Sequence, residues 1–184
     1  MEEVCRVLER LVEVGFLSDY AIGGATAAGF HGEPLATRDI DVFVFLKPPA
    51  GSLLVSLDPL FTRLRDWGFS EFEEEGLLIH GFPVQFLCAS PGLETEAVTN
   101  ALVVEWDHSR LRVIGPEHLA AMALTVGRPK DRARVVYLTA LLQFDLAKFI
   151  DITDRYLLMN RWREWAIALG LTHESRHTPD FPEQ

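Results

Sequence analysis

The sequence predicts an α/β (α+β) fold, a mixed sheet flanked by helices with a helical C-terminal extension. Three observations carry that reading. An apolar run stops at Gly23-Gly24 before a helix-forming stretch, a β-branched and aromatic strand follows from Asp39 to Phe45, and almost every segment after Pro116 has helical periodicity. Strands alternate with helices first and consecutive helices come later, an order that suits helices packed against a mixed sheet.

Taken in order, residues 2–14 place Val4, Val7, Leu8, Leu11 and Val14 at spacings of three and four, which predicts an amphipathic helix. Asp19-Tyr20-Ala21-Ile22 reads as a short strand, and Ala25 to Phe30 as a helix closed by Gly32. The strand Asp39–Phe45 ends at Lys47-Pro48-Pro49. Leu53 to Trp67 predicts another helix, stopped at Gly68. Phe69–Phe72, Leu77–His80 and Pro83–Leu87 read as short strands, with turns at Glu73-Glu74-Glu75-Gly76 and at Gly81. A short helix is expected over 94–100, then a hairpin of Ala101–Trp106 and Arg110–Ile114 around Asp107-His108-Ser109. Three helices are expected over 116–126, 129–148 and 151–169, and a frayed tail from Thr172. The division expected is a core over 1–115 and a helical region over 116–184 packed on it.

At 184 residues, 48% hydrophobic and 24% charged, the chain can bury a sizeable core and is not of disordered composition. No apolar run reaches the roughly 18–20 residues of a membrane span. Met1-Glu2-Glu3 is acidic where a secretory signal would be basic, and Cys5 and Cys88 stand far apart without metal-ligand spacing. A cytoplasmic location with no membrane partner is the expectation. A net charge of −10 speaks against general DNA binding. The densest basic cluster is Arg128, Lys130, Arg132 and Arg134, which reads either as a solvated helix face or as a local anion site.

The chemistry concentrates in Ala21-Ile22-Gly23-Gly24-Ala25-Thr26 and in Thr37-Arg38-Asp39-Ile40-Asp41-Val42. Positions i and i+2 of a strand share a face, so Asp39 and Asp41 are expected side by side while Ile40, Val42 and Val44 face the core. Two such carboxylates repel unless a cation lies between them, and hard oxygen donors suit Mg²⁺ or Mn²⁺ completed by waters and substrate phosphates. Gly23-Gly24 ahead of a helix bares backbone N–H groups to a phosphate, and the Thr26 hydroxyl offers another donor.

Apolar-Gly-Gly, a short helix and Asp-x-Asp on an apolar strand together resemble the polymerase-beta-type nucleotidyltransferase superfamily. Within it the chain is most similar to the small bacterial proteins grouped with AbiE-type, type IV toxin–antitoxin nucleotidyltransferases. Pro83-Val84-Gln85-Phe86-Leu87, Pro116-Glu117-His118-Leu119 and Gly127-Arg128-Pro129-Lys130-Asp131-Arg132 add to that likeness. The resemblance implies a nucleotidyltransferase-like sheet and metal-dependent transfer of a nucleoside monophosphate from an NTP to a protein, RNA or small-molecule acceptor. It places the triphosphate on Gly23, Gly24 and Thr26, the metal on Asp39 and Asp41, and phosphate or acceptor contacts on Arg128 and Lys130. It also implies a toxin restrained by an antitoxin partner. Two positions depart from the pattern. Gln85 stands where the superfamily carries a third carboxylate, and Ala123 where a lysine is expected. An amide supplies no charge and no base, so the alternative is a catalytically degenerate nucleotide-binding or protein-interaction domain. Glu73, Glu74, Glu75, Glu105 and Asp107 are the carboxylates that could stand in.

Plainer readings stay beside these. Asp39 and Asp41 also fit a solvated strand face, Gly23-Gly24 a helix-entry turn and Gln85 an ordinary polar strand position. His31 and His80 read as surface histidines, and Glu117-His118 as first-turn capping. Asp131 fits an ion pair with Arg128 or Arg134. Trp162 and Trp165 fit packing, and Leu138, Leu141, Leu142, Leu146 and Phe149 fit the core or a partner's surface.

Overall fold

The computed structural model describes residues 1–34, 37–46, 56–106 and 109–171. The strands are β1 (Leu17–Ile22), β2 (Ile40–Leu46), β3 (Phe72–Glu73), β4 (Gly76–Ile79), β5 (Phe82–Cys88), β6 (Leu102–Trp106) and β7 (Ser109–Val113). They form one mixed sheet in the order β3-β4-β5-β2-β1-β7-β6. The helices are α1 (Glu2–Glu13), α2 (Gly24–Phe30), α3 (Asp58–Asp66), α4 (Leu93–Thr99), α5 (Pro116–Val126), α6 (Pro129–Thr139), α7 (Leu146–Arg155) and α8 (Met159–Ala168). None is long and apolar enough to cross a membrane among the described residues.

The centre of the sheet positions everything that follows. β1 and β2 pair antiparallel with Ile22 opposite Val42, and β2 and β5 pair parallel with Asp41 opposite Gln85. Ile40, Val42 and Val44 are buried as the alternation predicts, and Phe43 is buried on the other face. A strand covered on both faces reads as a continuous apolar run, which is why Asp41 stands out within it. On the outer side the hairpin β4–β5 turns through His80 and Gly81, both at positive φ, in keeping with the two-residue turns that match strand twist. β7 joins β1 through Ile22 opposite Val113.

Several expected boundaries move. The helix predicted from Leu53 starts at Asp58, because Pro59 fits the first turn and the Ser56 hydroxyl accepts from the Asp58 N–H at 3.0 Å. Leu53 to Val55 and the predicted stop at Lys47-Pro48-Pro49 lie outside the described residues, as do Asp107, His108 and the tail from Thr172. The strand predicted over 69–72 pairs only at Phe72 and Glu73. The single helix predicted over 129–148 is two: α6 ends at Thr139, and Asp145 caps α7 by accepting from the Lys148 N–H at 2.9 Å. The next break comes at Leu157, whose φ of 58° takes a non-glycine residue into the left-handed region between α7 and α8.

Glu117 and His118 do more than cap a first turn. Both are buried in α5. Glu117 accepts from the Asp145 N–H and from Lys148 Nζ, each at 3.0 Å, tying α7 to α5. His118 Nε2 lies 3.0 Å from Glu96 of α4, which also accepts from Arg155 and from the Tyr156 hydroxyl at 2.7 Å. His118 Nδ1 is buried without a partner among the described residues. Burial pushes the His118 ring down from the usual histidine range despite Glu96 beside it, so it is held neutral. Of the apolar series in the C-terminal helices, Leu138 and Phe149 are core residues and Trp162 packs edge-on to Phe149 at 5.0 Å, whereas Leu142 is fully exposed.

Candidate functional site

The turn from β1 into α2 is set by two glycines for steric reasons. Gly23 donates to the Asp41 carbonyl at 2.8 Å, extending the β1–β2 ladder by one bond. A Cβ on Gly23 would meet the Phe43 ring at 2.5 and 2.7 Å. Gly24 follows at φ +57°, and a Cβ there would lie 1.7 Å from Asp41 Oδ2. The space a side chain would fill at position 24 is thus occupied by the Asp41 carboxylate, which is pressed against the backbone at the head of α2.

Asp39 stands one residue ahead of β2 rather than within it. It is held from both sides of its backbone. Its N–H donates to the Thr37 hydroxyl at 3.2 Å, and its carbonyl accepts from the Thr26 hydroxyl at 2.8 Å. Thr26 is buried and spends its hydroxyl proton on that bond. The structure therefore places Thr26 behind the carboxylate pair, and not on the cleft surface where a phosphate donor would stand.

Asp39, Asp41 and Gly24 line a cleft of about 540 Å³ between the sheet and α5–α6. Gln85, beside Asp41 in the sheet, lines it too, as do Glu73, Glu74 and Glu75 from the β3–β4 turn. Gln85 Nε2 donates to Glu75 Oε2 at 2.7 Å, so a carboxylate from that turn reaches the amide position, while Glu105 sits on the edge strand β6. The opposite wall carries Arg128, Lys130 and Arg134. Arg128 is bound to Asp131 at 2.8 Å in a capping box of α6, and Arg134 to Glu33 at 2.9 Å. Burial works to raise Asp131, but the side-chain and backbone bonds from Arg128 outweigh it and hold the carboxyl below its usual range. Among the described residues, Lys130 has no carboxylate within ion-pair distance. Asp131 is thus the ion-pairing residue its spacing suggested. His31 and His80 stand apart: His31 Nε2 meets the Ile114 carbonyl at 2.8 Å, and His80 stacks edge-on to Phe69.

The electrostatics of Asp41 suit a cation. Burial first, and then Asp39, push its carboxyl up from the usual range, while Lys130, Arg134 and Arg128 pull the other way. Among the described residues no third Asp, Glu, His or Cys completes a metal cage with this pair. Two hard carboxylates facing an open cleft, with Gly24 shaped around one of them, fit a Mg²⁺ or Mn²⁺ whose other ligands are water and phosphate. An expected result follows: Asp41→Asn removes a carboxylate that is costly to ionise here, and should raise the apo melting temperature at pH 7 by about 2–4 °C. The folded pKa is raised, so the wild type loses stability as pH climbs through it, and the variant's advantage should vanish in acid. Thermal scans across pH check this, and a variant less stable than the wild type at pH 7 would show that the carboxylate is satisfied without a cation.

No family model and no curated protein matches this chain. Solved structures do. An antigenic nucleotidyltransferase-like protein from Paracoccidioides brasiliensis superposes with a TM-score of 0.51 at 14% identity, over 92% of this chain and 93% of its own. The antibiotic-resistance factor ANT(2'')-Ia matches at 15% identity and a TM-score of 0.45, over 92% and 95%. The narrower likeness to AbiE-type proteins is not shown by these structures. What the first of them shows is architecture: this chain has the fold of a nucleotidyltransferase-like protein.

Proposed function

We propose that the protein transfers a nucleoside monophosphate from an NTP to an acceptor in the cleft, with Mg²⁺ or Mn²⁺ held by Asp39 and Asp41. The single observation that carries this reading is the meeting of Gly24, Asp41 and Asp39 in one cleft, opposite a basic wall. When bound, the metal would neutralise charge on the phosphates and help the pyrophosphate leave. The remaining work belongs to the chain. Gly23 packs against Phe43 and Gly24 against the Asp41 carboxylate, so the pair shapes the turn beside the cleft that would take the triphosphate. Lys130 is the side chain best placed to bind it, because Arg128 and Arg134 already hold carboxylates. An acceptor oxygen attacks the α-phosphorus, the α–β phosphoanhydride bond breaks, and the acceptor's proton passes to a cleft carboxylate. Glu75, fixed by Gln85, is our choice for that carboxylate.

Lys130→Ala is expected to weaken Mg-NTP binding about tenfold, and Asp39→Asn to abolish nucleotide transfer followed with an α-labelled NTP. Transfer at wild-type rate in Asp39→Asn would end this reading.

A second reading is favoured by Gln85 itself. An amide next to Asp41, with its nitrogen committed to Glu75, supplies neither charge nor base, which suits a domain that binds NTP without transferring it. Gain of transfer in Gln85→Asp would point to a decayed enzyme. A toxin role restrained by an antitoxin is a corollary of the AbiE likeness alone.

A further inference from the structure

We infer that the cleft binds all four NTPs with nearly equal affinity, because among the described residues the wall that takes the base offers apolar surface and a single free carbonyl, too little to tell one base edge from another. This rests on the nucleotide reading above and adds its specificity.

The wall is α5. Leu119, Met122, Ala123 and Val126 lie at i, i+3, i+4 and i+7, on one helical face, and all four line the cleft. Phe43 and Leu87 continue the apolar surface from β2 and β5. Telling one base from another takes hydrogen-bond groups aimed at its edge, since apolar contact is nearly the same for every base face. Of the last four carbonyls of α5, only Val126 O has no partner among the described residues. The last carbonyls of a helix are ordinarily free to accept, yet here Ala123 O accepts from the Gly127 N–H at 3.0 Å. Arg161 takes Leu124 O at 2.6 Å and Thr125 O at 2.9 Å, and the Thr125 hydroxyl turns inward to Ala121 O.

Charge decides why the base lies on this wall. The cations of the cleft follow α5 directly across Gly127, so phosphates held there put the attached nucleoside beside α5. The other wall presents Glu73, Glu74 and Glu75, which repel a triphosphate and leave that side for the acceptor. Among the described residues the neutral polar side chains in the lining are Thr37, whose hydroxyl accepts from the Asp39 N–H, and Gln85, whose nitrogen is given to Glu75.

The test is calorimetric titration of the full chain with the α,β-methylene analogues of ATP, GTP, CTP and UTP in Mg²⁺, alongside Mg-tripolyphosphate. Four dissociation constants within about threefold are expected, each tighter than that of tripolyphosphate. A preference of about tenfold or more for one base overturns the inference, as does tripolyphosphate binding as tightly as the nucleotides. Val126 is more than half exposed, so Val126→Asn should fold. It is expected to weaken all four nucleotides about threefold to tenfold and leave tripolyphosphate unchanged. Unchanged nucleotide affinity in that variant would remove the base from α5. If neither nucleotides nor tripolyphosphate bind the wild type, the nucleotide reading itself falls, and the inference with it.

Discussion

Gly24→Ala is expected to abolish Mg²⁺-dependent nucleotide binding, an effect of at least about a hundredfold, while lowering stability by only about 1–2 kcal/mol. The asymmetry follows from what the new methyl group meets. It would lie 1.7 Å from Asp41 Oδ2 and 2.8 Å from Asp41 Cγ, so the carboxylate has to swing out of its place beside the backbone. The left-handed backbone at position 24 adds a modest cost for any side chain. Gly23→Ala is the informative contrast. Its methyl would press on the Phe43 ring and on Ile114 Cδ1 at 3.3 Å, both parts of the core, so its damage should appear mainly in stability. Titration and thermal melting of the two variants separate these outcomes. Wild-type Mg-NTP affinity in Gly24→Ala would mean that the place Asp41 holds beside Gly24 has nothing to do with the ligand.

The second large effect lies away from the cleft. Glu96→Ala is expected to cost about 3 kcal/mol, or about 6–12 °C in melting temperature. Glu96 accepts from His118 on α5 and from Arg155 and Tyr156 at the end of α7, so its removal unties both from α4 and leaves a buried imidazole without any partner. The hydrogen bonds from Arg155 lead in holding the Glu96 carboxyl well below the usual carboxylate range, with Tyr156 and His118 adding to them against a desolvation cost. A depressed carboxylate gives stability that is present above its unfolded pKa, near 4.5, and lost as pH falls through the folded one. The difference between wild type and Glu96→Ala should therefore narrow in acid. His118 acts earlier. Its folded pKa lies below the unfolded value of 6.5, so the wild type begins to lose stability as pH drops past that point. Urea midpoints between pH 4 and 8 check both. A Glu96→Ala gap that stays constant with pH would rule out an ionised Glu96 as the source.

Local pattern made the centre of this fold legible. β2 announced itself by β-branched and aromatic residues, α1 by spacing, and the turn before α2 by its two glycines. Features that depend on distant residues were not legible. No glycine or proline marks the break between α6 and α7 at 140–145, and Leu157 enters the left-handed region where residue type gives no warning. Asp145 was the one available sign, since aspartate is a favoured N-cap. In the cleft, the sequence singled out Asp39, Asp41, Gly24, Gln85, Arg128 and Lys130, all of which line it. It could not show that the Thr26 hydroxyl turns to the Asp39 carbonyl, that Glu75 reaches Gln85, or that Arg161 closes the end of α5. Each of those joins residues at least ten apart, through contacts that only the packed chain creates.

The order of strands also has a consequence for how the chain is made. β2 can pair with β1 almost as soon as it leaves the ribosome, but its other neighbour is β5, and Val84 comes 44 residues after its partner Ile40. At roughly 5–20 residues per second, that edge waits about 2–9 s for its partner. During that interval Ile40, Val42 and Val44, all buried in the finished sheet, belong to a strand with one open side. The chain is therefore most prone to associate with its copies while it is being synthesised, and a chaperone that meets it would find its target at β2.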